Sequence, residues 1–217
     1  MSGSFLLSDK LEKYIHEFGL NETAIEKELR DYTLRENPAS AHLQISPDQS
    51  EFLKIIIKIG NYKNILELGT YLGYSTLGMA LVTSGNILTI DKDDQFIKKA
   101  RNFWEKSNVS HKIKFIQGTA INELEKLPSN SFDMIFIDAD KTSNIKYYEK
   151  CKSLLTDNGI LIFDNVLWKG KVSEETDDPK VMKIKEFNSY VKSDNYFEIS
   201  LISIGDGMML CKKKVTK

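Results

Sequence analysis

The chain has 217 residues, which at about 150 residues per domain supports one compact core with a short extension rather than two independent cores. Its 41% hydrophobic and 28% charged residues fit a soluble globular protein, and no apolar run approaches the roughly 18 residues of a bilayer-spanning helix. Thirty basic against thirty-one acidic residues leave a net charge of −1, which argues against a general binder of phosphate backbones.

Residues 1–60 read as a helical N-terminal extension. Leu7, Leu11, Tyr14, Ile15 and Phe18 fall on one helical stripe. Gly19 ends that segment, and Asn21 is the candidate N-cap of a second helix carrying Ile25, Leu29 and Tyr32. Beyond a break at Pro38, Ser46-Pro47-Asp48 opens a third helix through Phe52, Leu53, Ile56 and Ile57.

Residues 61–217 change character. Short apolar runs at Asn64–Leu68, Asn86–Ile90, Lys112–Ile116, Asp133–Ile137 and Gly159–Phe163 alternate with helical patterns at 74–83, 93–107, 120–127 and 143–155. Strands alternating with helices imply right-handed β-α-β units and an α/β fold, with a parallel sheet buried on both faces. Phe197–Ser203 and Met208–Lys212, joined by Ile204-Gly205-Asp206-Gly207, predict a closing antiparallel hairpin. Cys151 and Cys211 fall in helix and strand patterns without metal-ligand spacing, so no disulfide framework is expected. Residues 1–10 lack a basic segment leading into a long apolar stretch, so they do not read as a secretion signal, and the default compartment is cytoplasmic.

The segment Ile65-Leu-Glu67-Leu-Gly69-Thr70-Tyr71-Leu-Gly73-Tyr-Ser75 leaves the first strand and enters a helix. Glycine there permits a tight turn and close approach of a ligand to free helix N–H groups. Such a loop suits a nucleotide, NAD or S-adenosylmethionine. The spacing is G-x-x-x-G, not the G-x-G-x-x-G of dinucleotide binders, which leaves a nicotinamide oxidoreductase as a minor alternative. Asp91, 22 residues after Gly69, follows the second strand, where an acid can accept hydrogen bonds from ribose hydroxyls.

Two further acids follow strands of one β-α-β unit, in Ile137-Asp138-Ala139-Asp140-Lys141 and Phe163-Asp164-Asn165. They lie 26 residues apart, the length of a helix and its return. Neighbouring strands are about 4.8 Å apart, so Asp138 and Asp164 should emerge side by side at the carboxyl edge of the sheet. Two carboxylates and an Asn amide oxygen are hard donors, suited to Mg²⁺, Mn²⁺ or Ca²⁺ rather than Zn²⁺. Lys141 stands three residues after Asp138 at the start of the next helix, where a lysine ammonium is disfavoured by the helix dipole and by a nearby cation, so that it could act as a general base. His42 precedes the third helix and carries no assigned chemistry.

From about Leu43 to Cys211 the chain resembles the cation-dependent class I O-methyltransferases, which include catechol and caffeoyl-CoA O-methyltransferases and small bacterial relatives. The resemblance rests on Ile45-Ser-Pro-Asp-Gln49, Glu67 to Ser75, Ile90-Asp91, Gly118-Thr-Ala120, Ile137 to Lys141, Asp164 to Gly170 and Gly205-Asp-Gly207, in that order. Leu43, Ser50-Glu51 and Lys169 depart from the residues common at those positions; plant members place a substrate-contacting Asn where Lys169 stands.

The resemblance implies a Rossmann-like seven-stranded sheet in the order 3-2-1-4-5-7-6, with strand 7 antiparallel. It implies S-adenosylmethionine as cofactor, held by Ile45, Glu67, Gly69, Thr70, Ser75, Asp91, Ala120, Asp138 and Asp140. It further implies a divalent cation, Mg²⁺ first, on Asp138, Asp164 and Asn165, with Lys141 and Asp138 catalytic. The expected reaction is methyl transfer to a hydroxyl of a small vicinal diphenol, in a homodimer. A hydroxylated uridine in tRNA is the alternative acceptor, for which the run Lys212, Lys213 and Lys214 offers a local basic patch.

Overall fold

The computed structural model describes residues 7–214. Its first helix, α1 (Asp9–Gly19), is capped by Ser8, so Leu7 lies ahead of it, and none of its residues is buried. Helix α2 (Ala24–Glu36) starts at Thr23, not Asn21. The Thr23 backbone N–H and hydroxyl both donate to Glu26, which closes a capping box that Asn21, two residues earlier, cannot make. A single turn of 3-10 helix (Ala41–Leu43) leads into α3 (Pro47–Gly60), with Pro47 in its first turn as the sequence predicts.

Strands β1 (Asn64–Leu68), β2 (Asn86–Asp91), β3 (Ile113–Gln117), β4 (Phe132–Ile137) and β5 (Leu155–Asp164) run parallel; β6 (Phe197–Ile202) and β7 (Met208–Lys213) form the closing hairpin. The order is β3-β2-β1-β4-β5-β7-β6, with β7 antiparallel to both neighbours. Between them lie α4 (Tyr74–Val82), α5 (Ile97–Lys106), α6 (Ala120–Leu124), α7 (Asn144–Leu154) and α8 (Pro179–Ser193). Two helices are shorter at the start than their apolar patterns. Residues 93–96 stay out of α5 because Asp91 and Asp93 accept backbone N–H groups two residues on, a local turn that competes with helix. Lys141–Ser143 form a 3-10 turn ahead of α7.

Alternation along the central strands divides the core between the two sheet faces. Ile65, Met134, Phe136, Ile160 and Ile162 pack with Leu29 of α2, Leu53 and Ile57 of α3, Leu77 of α4 and Trp104 of α5. Leu66, Leu68, Ile135, Ile137, Leu161 and Phe163 pack on the other side with Tyr148 of α7 and Phe187 and Val191 of α8. Helices α2 and α3 thus share the sheet's own core. A buried ion pair fastens them: Lys54 Nζ of α3 lies 3.0 Å from Glu26 Oε1 of α2. Among the described residues no helix is long and apolar enough to cross a membrane.

Candidate active site

Strand order reverses between β1 and β4, so the loops leaving these two strands part and open a crevice at the carboxyl edge. A cleft of about 1020 Å³ occupies it. Gly69, Thr70, Ser75, Asp91, Ala120, Asp138, Asp140, Lys141, Asp164 and Asn165 all line this cleft, with Ile45 on the wall contributed by the segment before α3. His42 also reaches it.

The glycine loop is shaped by its neighbours. Gly69 has φ +99°, and a Cβ there would sit 2.2 Å from the carbonyl oxygen of Asp138. Only glycine lets the loop after β1 press against the loop after β4. The Asp138 N–H in turn donates to the Leu68 carbonyl at 2.8 Å, so the two loops are joined backbone to backbone. Asp91 braces the same turn, its Oδ2 accepting from the N–H groups of Thr70 at 2.8 Å and Tyr71 at 3.0 Å.

Glu67 is the one sequence-predicted residue that does not line the cleft. It lies fully buried behind the loop and accepts hydrogen bonds from the hydroxyls of Ser75, Thr76 and Thr89. Burial pushes its carboxyl up to about 7, and those three donors only partly offset it. Glu67 therefore acts on the cleft through Ser75 and the start of α4.

Register places the paired acids as the sequence predicts. Ile137 of β4 pairs with Phe163 of β5, so Asp138 and Asp164 leave neighbouring strands together. Asp164 is buried, and burial followed by the adjacent Asp138 charge pushes its carboxyl up to about 7. Burial likewise raises Asp138, against the pull of Lys141, whose Nζ donates to Asp138 Oδ1 at 2.6 Å. Lys141 itself is 7% exposed, so its amine is held against the acids and away from bulk water. Asp140 differs. Burial opposes its ionisation, but hydrogen bonds from Ser143 and Thr142 win and hold it below the usual carboxylate range. Asn165 has φ +57°, a strained conformation that turns the chain sharply after the strand.

Three residues of the site are given no role by the sequence reading. Gln49, at the start of α3, donates from Nε2 to Asp164 Oδ1 at 2.6 Å. Asp206, in the turn between β6 and β7, lines the cleft and accepts the Lys169 backbone N–H. Trp168 stands at the rim with the Lys180 ammonium 4.2 Å from its ring centre. All three lie in quoted motifs or beside them, but nothing in local spacing says which strand or helix each would face.

The sequence profile of the family described as O-methyltransferase matches residues 16–214. A caffeoyl-CoA O-methyltransferase from Populus kitakamiensis is 38% identical over 225 residues, which span 96% of this chain and 95% of that protein. Tapetum-specific methyltransferase 1 of Arabidopsis thaliana is 36% identical across 97% of this chain and 96% of its own. The structure of an O-methyltransferase from Bacillus cereus in complex with SAH superposes with a TM-score of 0.81 at 28% identity, covering 94% of this chain and 97% of that one. The SAH-bound methyltransferase of Podospora anserina gives 0.86 at 25% identity over 95% of each chain. With fold, cleft and sequence in agreement along nearly the whole length, this chain belongs to the cation-dependent class I O-methyltransferase family and is an S-adenosylmethionine-dependent enzyme.

Proposed function

We propose that this enzyme methylates one hydroxyl of a small vicinal diphenol, assisted by a divalent cation on Asp138, Asp164 and Asn165. The observation carrying this reading is the pair of neighbouring carboxylates, Asp164 buried and Asp138 half-buried, beside the Asn165 side chain and the Lys141 amine in one cleft. A site that crowds negative charge out of water favours a compact cation of opposite sign. The donors fit: all are hard oxygens, and neither Asp138 Oδ2 nor Asp164 Oδ2 accepts a hydrogen bond among the described residues. Mg²⁺ is the first choice, with Mn²⁺ or Ca²⁺ as alternatives. When bound, the ion lowers the pKa of the acceptor hydroxyls and orients them.

The chain's own residues account for the rest. Lys141 Nζ, fixed on Asp138, takes the proton of the hydroxyl that is to react. The loop from Gly69 to Ser75, braced by Asp91, and the walls at Ile45 and Ala120 hold the sulfonium cofactor in the adjoining half of the cleft. As the new O–CH₃ bond forms, the S–CH₃ bond breaks and its electron pair stays on sulfur, giving a monomethyl ether and S-adenosylhomocysteine. Alignment of the two reactants supplies much of the acceleration.

Removal of divalent ions, or Asp164→Ala, is expected to abolish methylation of catechol by labelled S-adenosylmethionine. Retained turnover in either case overturns the metal-assisted reading. Lys141→Ala is expected to lower kcat by about 10²- to 10⁴-fold. The tRNA alternative loses support from the position of its basic run. Lys212 pairs in register with Ile160, at the edge of the sheet opposite the cleft. Its ammonium donates to Asn158, and Lys213 is bound to Asp157. A homodimer through the apolar side of α1 completes the proposal.

A further inference from the structure

We propose that Gln49 is a positioning residue for the metal half-site, selecting which oxygen of Asp164 faces the cation. The inference rests on the metal-assisted reading above and adds a residue to which that reading gives no part.

Gln49 is fully buried in the first turn of α3, and its amide is oriented from both ends. Oε1 accepts the Ser46 N–H at 2.9 Å and the Ser46 hydroxyl at 3.1 Å. With the oxygen so engaged, the NH₂ end must point the other way, and there it donates to Asp164 Oδ1 at 2.6 Å. The Asn165 backbone N–H donates to the same oxygen at 2.8 Å. Two donors hold Oδ1, and Oδ2 is left with none among the described residues. The carboxylate is thereby fixed in rotation, and Oδ2 is the oxygen left available to a cation at this cleft-lining residue. Hydrogen bonds of this kind to a ligating carboxylate fix its orientation and add to metal affinity.

A second element guards the contact. Gly205, with φ +57°, lies directly against the Gln49 amide, and a Cβ at that position would stand 2.3 Å from Gln49 Cδ and 2.6 Å from Nε2. A side chain at 205 displaces the amide, the flexible end of Gln49, before it moves any backbone. Gly205 sits in the turn between β6 and β7, which reaches this edge because β7 runs antiparallel and brings Met208 opposite Asp164. Three distant segments, at 46–49, 164–165 and 205, thus meet around the Gln49–Asp164 hydrogen bond.

The test is direct Mn²⁺ binding to the cofactor-free protein, read from the free-ion paramagnetic resonance signal, together with calorimetric binding of S-adenosylmethionine and thermal melting. Wild type and Asp164→Ala report on the metal reading; a wild type that binds no Mn²⁺ overturns that reading and this one with it. Where wild type binds and Asp164→Ala does not, Gln49→Met decides. Expected is a loss of Mn²⁺ affinity of about tenfold or more with cofactor affinity unchanged, a split that general loosening of α3 would not produce. Gly205→Ala should reproduce the loss, and the double variant should be no weaker than the weaker single, because both remove the same donor. Unchanged Mn²⁺ affinity in folded Gln49→Met overturns the proposal. If that variant does not fold, unchanged affinity in Gly205→Ala does so.

Discussion

Glu67 is an acid without water, satisfied by three hydroxyls. Below its ordinary value of 4.5 both folded and unfolded chains hold its proton; between 4.5 and about 7 only the folded chain does. Glu67 therefore contributes a loss of stability as pH rises through that window. Glu67→Gln should flatten this part of the stability curve, measured by urea midpoints between pH 4.5 and 8, and a slope equal to that of wild type counts against the assignment. The acid was legible in the sequence as part of the glycine loop, but its position behind the loop was not. Thr89 faces it only because β1 and β2 pair Glu67 with Thr89, a register that no local spacing encodes. Asp138 and Asp164 were legible for the opposite reason: each ends an apolar run, and the run's length fixes where the acid emerges.

Among the elements, α3 carries the most. Its first turn presents Gln49 to Asp164, and Lys54 farther along reaches Glu26 on α2, whose carboxylate is completely buried. Lys54→Met removes the cation and leaves that carboxylate without its partner, so the variant should lose about 3–5 kcal/mol of stability in urea denaturation. Replacing Glu26 by Gln as well should recover part of the loss, since the unpaired charge is gone. Helix α8 passed unread in the sequence although it carries a strong signal. Asp178 accepts from the Lys180 and Val181 N–H groups, Pro179 opens the helix, and Val181, Ile184, Phe187 and Val191 follow at helical spacing. Its apolar residues are spread thinly among lysines, and the neighbouring motif at Asp164 to Gly170 draws attention to chemistry instead. Pattern reading overextended α5 and α6 for a physical reason too. Apolar periodicity extends into residues 93–96, where side-chain-to-backbone bonds hold a turn ahead of α5, and into 125–127, where three-residue turns replace the helix after α6.

For the molecule as a whole, residue patterns carried five parallel strands and a closing hairpin, while the order of those strands came only through resemblance. Periodicity says that a strand is buried, not which strand lies beside it. The same whole-molecule view bears on assembly. Leu11, Tyr14 and Phe18 remain 46%, 59% and 69% exposed on α1, an apolar stripe that the protein's own core does not cover. If the proposed dimer forms there, Phe18→Lys should lower the sedimentation mass toward that of one chain, and an unchanged mass would place the contact elsewhere.

The two tryptophans are divided between interior and rim. Trp104 is packed in the core with its indole N–H on the Gly73 carbonyl, while Trp168 stands half-buried at the mouth of the cleft under the Lys180 ammonium. The molecule therefore carries its own optical probe. Iodide in solution should quench only the Trp168 share of the emission, and an aromatic acceptor entering the cleft should shield that share while leaving the Trp104 signal unchanged. Occupancy of the acceptor pocket then becomes measurable without turnover, which allows candidate acceptors to be ranked by binding before any product is sought.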